Sequence, residues 1–212
     1  MTPAFTIILP HKRNPGNDDA LAICLDCITR NTRNDFALII DAAVDSPLYP
    51  RVNRMIEQAQ TDRVVYMASD MFLAPNWDVP MLEAWTPQTI VTNVVVEPGA
   101  IAMHGQNLHR DYGRKPKSFQ REAFENWAGG SEAPLLDGEG WYCPYMISRR
   151  EFLDMGAFQT DVSPDDMGFS GADQLFFANW KASGRTIQRV RSFVYHLQRY
   201  SDVGEQEHEK RL

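Results

Sequence analysis

Three times in the first seventy residues, a short apolar run rich in β-branched side chains stops at a proline or an acidic residue. Phe5-Thr6-Ile7-Ile8-Leu9 stops at Pro10, Phe36-Ala37-Leu38-Ile39-Ile40 at Asp41, and Val64-Val65-Tyr66-Met67 just before Ser69-Asp70. Runs of this length and composition are strands buried on both faces. Between them the spacing turns helical. Leu21, Ile23, Leu25 and Ile28 follow Asp18-Asp19, which suit the first turn of a helix, and Val52, Met55, Ile56 and Ala59 repeat the pattern. Repeated β-then-α units predict a mostly parallel central sheet with right-handed crossovers, flanked by helices, and so an α/β domain. In such sheets ligands bind beyond the carboxyl ends of the strands. That rule singles out His11 to Arg13, Asp41 and Ser69-Asp70.

Composition removes several alternatives. A chain of 212 residues with 43% hydrophobic side chains is one globular domain rather than a disordered or fibrous one. Its 28 acidic against 21 basic residues leave a net charge of −7, which disfavours general binding of polyanions. No stretch approaches the roughly 20 apolar residues of a membrane span. The opening MTPAFTIILPHKR has its basic residues after the apolar run, unlike a secretory signal, so a cytoplasmic protein is expected, in the host cytoplasm if viral. Three cysteines, two of them in Cys24-x-x-Cys27, suit a reducing compartment and read as a helix face rather than a redox or zinc pair. Neither G-x-G-x-x-G nor G-x-x-x-x-G-K-[ST] occurs, so dinucleotide oxidoreductases and P-loop hydrolases are disfavoured.

Ile90 to Val96 predicts a fourth strand, after which residues 97–140 change character, rich in Gly, Pro, His and charge. They read as an insertion over the sheet edge, loops plus one helix around Phe119 to Trp127, of the kind that carries acceptor specificity. Trp141 to Ile147 predicts a strand, Arg150 to Met155 a short helix, Leu175 to Ser183 a helix closed by Gly184, and Ile187 to His196 a last strand. The main domain is therefore expected over residues 1–200, with a charged tail over 201–212.

Several of these segments together resemble a family 2 glycosyltransferase of the GT-A type, a Rossmann-like single domain. Ile7-Ile8-Leu9-Pro10 with its polar loop, the strand ending at Asp41, and Cys24-Leu25-Asp26-Cys27-Ile28 match the family's opening. Ser69-Asp70 with Pro75-Asn76-Trp77 resembles its metal motif and following turn. Met146-Ile147-Ser148-Arg149-Arg150, Phe152, Gly156-Ala157-Phe158, then Gly171-Ala172-Asp173-Gln174-Leu175, Gly184 and Val194-Tyr195-His196 complete the order. Two positions depart from the pattern. Ala68 stands where the family's Asp-x-Asp motif has its first Asp, and Ala172 where the family has the Glu of a Glu-Asp pair. The second carboxylate remains in both.

The resemblance implies a metal-dependent inverting glycosyltransferase that moves a sugar from a nucleotide-diphosphate sugar, uridine-linked, to an acceptor hydroxyl. Mn2+ or Mg2+ would be held by Asp70 and His196 together with donor phosphate oxygens. Asp173 would be the catalytic base. Pro10 and His11 would shape the loop around base and ribose, Arg13 approach the phosphates and Asp41 hydrogen-bond the base, with Asn53 and Ser69 as further donor contacts. Asp137, Gly138, Gly140 and Trp141 fall where the family forms its sugar and acceptor pocket; Trp141 could stack on a pyranose.

Plainer readings stand beside these. Asp70 could be a turn residue, Asp173 a helix N-cap, His196 a core histidine and Trp141 a core side chain. Arg110, Arg114, Lys115, Lys117 and Arg121, interleaved with Tyr112 and Phe119, are either a solvated face or a track for a phosphate backbone. Small stand-alone chains resembling this family include viral enzymes that glycosylate hydroxymethylated DNA bases. Modified DNA therefore joins protein and glycan as expected acceptors. The rival functions are a catalytically degenerate sugar-nucleotide-binding module, and a nucleotidyltransferase, which the single glycine in His11 to Gly16 disfavours.

Overall fold

The computed structural model describes residues 2–43, 47–99, 107–132, 143–160 and 171–197. Two βα units come first: β1 (Phe5–Lys12), α1 (Pro15–Asn31), β2 (Phe36–Ala43) and α2 (Leu48–Gln58). Next are β3 (Arg63–Tyr66), β4 (Met71–Leu73), α3 (Asp78–Ala84), β5 (Thr89–Glu97), β6 (Leu108–His109), a 3-10 turn at Pro116–Ser118 and α4 (Arg121–Gly130). After these the chain forms β7 (Tyr145–Ser148), α5 (Arg149–Asp154), α6 (Gly171–Ala182) and β8 (Thr186–His196).

The strands form one eight-stranded sheet in the order β2-β1-β3-β7-β5-β8-β4, with β6 on β5. It is mixed and mostly parallel. β1 pairs in parallel with β2 and β3, and β5 with β8 and β6, whereas β7 and β4 run against their neighbours. Alternate strand residues feed two cores, one on each face of the sheet. Phe5, Ile7 and Leu9 meet Cys24, Cys27 and Ile28 of α1, together with Trp77, Phe124 and Tyr195. Ile8 and Ile147 meet Val52, Met55 and Ile56 of α2, Phe152 of α5, and Phe176, Phe177 and Trp180 of α6. The two α1 cysteines thus line a buried helix face.

Local chemistry moves some boundaries from where periodicity puts them. Helix α1 starts at Pro15 rather than at Asp18-Asp19, because Asn14 caps it: its Oδ1 accepts from Asn17 N at 2.8 Å, and Pro15 has a preset φ and no N–H to leave unpaired. Helix α6 starts at Gly171, four residues before the expected Leu175, which sets Asp173 in its first turn. Strand β7 is Tyr145–Ser148, and the expected earlier start at Trp141 lies outside the described residues, as does the 201–212 tail.

The described part of the 97–140 insertion, residues 107–132, is fastened to β8. Tyr195 accepts a hydrogen bond from Tyr112 N at 3.1 Å and donates to Gly113 O at 2.7 Å. Gly113 has φ +109°, and a Cβ there would lie 2.2 Å from Ser118 O, so only glycine fits.

Candidate active site at the carboxyl edge of the sheet

The strand ends singled out by sequence gather on one edge. Two ladders do most of the work. Met71 pairs with His196 between β4 and β8, and Val96 with Tyr195 between β5 and β8. These registers set Glu97, His196 and Asp70 in a row across three adjacent strand ends. His196 Nε2 lies 3.5 Å from Asp70 Oδ2, and its Nδ1 lies 2.8 Å from Glu97 Oε1. Glu97 is fully buried, His196 nearly so, and Asp70 is partly open. Burial opposes charge on the imidazole, but Asp70 and Glu97 outweigh it and push its pKa up to about 10. Burial likewise works against ionised Asp70, and His196 more than offsets it, holding the carboxyl below its usual range.

Asp173 reaches the same edge from the first turn of α6. Its Oδ1 accepts from Gln174 N at 2.8 Å, and the Tyr49 hydroxyl of α2 donates to the carboxylate. Burial raises its pKa, with those hydrogen bonds pulling the other way. Both carboxylates act on common neighbours. The Tyr66 hydroxyl and Cys143 thiol, pushed up first by burial, are raised further by Asp173 and by Asp70. Proton-poor Asp70 and proton-prone Asp173 therefore flank one region, the division of labour that acid–base chemistry needs.

Four other expected residues, His11, Ser69, Asn53 and Asp41, have side-chain partners within the fold. His11 is buried; its Nδ1 meets Ser69 Oγ at 3.0 Å and its Nε2 meets Asp18 Oδ1 at 2.7 Å, so His11 and Ser69 form one chain tying β1 to α1. Asn53 donates to Phe158 O at 2.8 Å and accepts from Phe158 N at 3.1 Å, pinning the turn after α5 to α2. Asp41 is held by Arg54 at 2.6 Å and lies 3.4 Å from Arg51 Nε. Pro10 is buried, and Arg13 is exposed beside the loop, its N–H bonded to Ala43 O at 2.9 Å. Asp137, Gly138, Gly140 and Trp141 lie outside the described residues.

Three residues of this edge are absent from the sequence reading. Glu97 carries the same signal as Asp41 and Asp70, an acid closing an apolar run, but is absorbed there into the insertion. Arg51, almost wholly buried, donates to Asp41 O and, at 3.0 Å, to His11 O, joining two strand ends. Tyr49 has no sequence signal; it meets Asp173 only because α2 and α6 pack on one face.

The basic stretch of the insertion turns its aromatics inward. Tyr112 packs on Phe124 and Tyr195, and Phe119 stacks on Tyr195 and meets Phe72 at 4.5 Å. Its cations have local partners: Arg110 lies over Trp127, Arg114 pairs with Asp111, Lys117 with Asp19 and Arg121 with Asp26. Rings engaged in this way are not presented to stack on bases.

No protein-family model matches the chain, and no curated protein matches it. Among solved structures it is similar to the crystal structure of GalNAc-T7 with UDP, GalNAc and Mn2+, at 9% sequence identity and a TM-score of 0.57. The match covers 92% of this chain and 43% of that one. Such a likeness shows the fold: a GT-A-like α/β domain with a mostly parallel central sheet flanked by helices.

Proposed function

We propose that this chain is a metal-dependent inverting glycosyltransferase, resembling family 2, that uses a nucleotide-diphosphate sugar, uridine-linked, and transfers its sugar to an acceptor hydroxyl. The observation that carries this reading is the Asp70–His196 pair standing at the same sheet edge as a proton-prone Asp173. The fold likeness adds a neighbour whose crystal structure holds UDP and Mn2+.

The donor set fits a hard or borderline divalent ion. Asp70 supplies a carboxylate oxygen and His196 an imidazole nitrogen, a combination that suits Mn2+ and admits Mg2+. Among the described residues no three His, Cys, Asp or Glu side chains surround one point, so the remaining ligands would be donor phosphates and water. The ion would supply positive charge for the leaving diphosphate. Asp173 would accept the acceptor's hydroxyl proton as that oxygen bonds to the anomeric carbon and the bond to the phosphate oxygen breaks, its electron pair passing to the diphosphate. Attack on the face opposite the leaving group inverts the anomeric centre. Tyr49, donating to the same carboxylate, would fix which oxygen of Asp173 faces the acceptor.

A degenerate sugar-nucleotide-binding module is the second reading, favoured by Ala68 and Ala172. Ala172 is buried in the α6 core, where a Glu side chain would have to find room among aromatic rings. Incubation with Mn2+ and a panel of uridine, guanosine and cytidine diphosphate sugars separates the two. The enzyme releases nucleoside diphosphate slowly even without acceptor; binding without release across the panel would leave the module. Protein, glycan and hydroxymethylated DNA are the acceptors to offer, and the inward aromatics of the insertion favour the first two.

A further inference from the structure

Glu97 stands in the row that holds both metal-binding candidates, and its burial calls for a reason. Removing an ionised carboxylate from water is costly unless its partners compensate, so a strand end has no need of one for packing alone. Here the carboxylate is fully buried and sits 2.8 Å from His196 Nδ1, while the other ring nitrogen faces Asp70. An imidazole presents one nitrogen to a metal, and the hydrogen bond made by the other decides which. The backbone around Glu97 is itself fixed, paired with His109 in β6 and bonded from its carbonyl to Arg110 N at 2.8 Å.

We propose that Glu97 is the positioning residue of the metal site: by accepting a hydrogen bond from His196 Nδ1–H it holds the ring with Nε2 toward Asp70, and so makes the two side chains a ligand pair. The proposal rests on the metal reading above. It assigns Glu97 no contact with the ion, the donor or the acceptor. Its effect passes through the ring's orientation alone, and an uncharged acceptor oxygen at the same place should serve nearly as well.

Binding of Mn2+ alone, followed from the free-ion EPR signal, tests this with Glu97→Gln, Glu97→Leu and Asp70→Ala beside the wild type. Glu97→Leu should weaken Mn2+ binding by about 10- to 100-fold, the usual effect of losing an outer-shell partner, while Glu97→Gln stays close to wild type. Unchanged affinity in a folded Glu97→Leu, or equal losses in both variants, would overturn the proposal. Wild-type protein with 15N-labelled histidine gives a reading that needs no Glu97 variant. On adding Zn2+ as a diamagnetic ion, His196 should keep Nδ1 protonated while Nε2 takes the coordination shift; a shift on Nδ1 would overturn the proposal. If Asp70→Ala binds Mn2+ as the wild type does, the metal reading itself falls, a result distinguishable from failure at Glu97.

Discussion

At the scale of single residues, the site separates two carboxylates by environment. Asp70 is held ionised by a charged imidazole, whereas Asp173 sits in partial burial with only hydrogen bonds to oppose its protonation. Asp173→Asn should therefore lower turnover by about 10²- to 10⁴-fold with the fold intact, read from nucleoside diphosphate release alongside circular dichroism. Tyr49 sharpens the point. Its hydrogen bond favours the ionised carboxylate, so removing it in Tyr49→Phe should raise the Asp173 pKa further. The acidic limb of the kcat/KM profile then moves to higher pH; a limb that stays in place would show that Asp173 is not the titrating base. Asp41 and Asp70 stand out in the sequence because each closes an apolar run, whereas Glu97 carries the same signal but is read there as the start of the insertion. What single residues did not disclose is which side chains the fold uses for itself. His11, Ser69 and Asn53 look like donor contacts when read along the chain, and their packing partners Asp18 and Phe158 come from other elements.

Among the elements, helix ends and short strands show where periodicity stops being informative. The long runs predict β1, β2, β5 and β8 closely, but only β1 and β5 are buried on both faces. Strand β2, expected to be buried likewise, is the edge strand and leaves Leu38 and Ile40 exposed, and the first half of β8 is largely open. Strand β4 has only three residues, too few for a period, yet its pairing with β8 is what brings Asp70 to His196. Helix α6 begins at Gly171, and so Asp173, which reads along the chain as an N-cap, stands instead inside its first turn. Asn14 does act as an N-cap, and Asn14→Ala should cost about 1 kcal/mol, measured as a shift in the denaturant midpoint. The insertion offers a sharper trial. Phe119 packs against Phe72 and Tyr195, so Phe119→Ala should lower stability by roughly 3 kcal/mol, and DNA affinity should not fall apart from unfolding. A selective loss of DNA binding in a stable variant would restore the phosphate-track reading.

For the molecule as a whole, the same edge that would bind metal shapes stability in its absence. His196 has its pKa raised from 6.5 to about 10, so its contribution is complete below pH 6.5 and fades as pH rises toward 10. Asp70, lowered from 3.8, contributes above that value and loses its contribution as pH falls further. Metal-free protein should thus be most stable between about pH 4 and 6.5 as far as this pair is concerned. Urea midpoints that decline toward pH 10 in the wild type, but not in His196→Gln, would bear this out. The net charge of −7 describes the chain without locating its charges: the acids include the site, and the bases of the insertion are partnered by acids nearby. One further property follows from the two-sided core. Cys24, Cys27 and Cys143 are all buried, with burial raising each thiol, Cys27 to about 12. Native protein at neutral pH should accordingly ignore thiol reagents. A cysteine introduced at exposed Gln174, beside the proposed base, would then be the one position that takes a fluorophore, and would turn donor binding into an optical signal without first stripping the chain of its own sulfur.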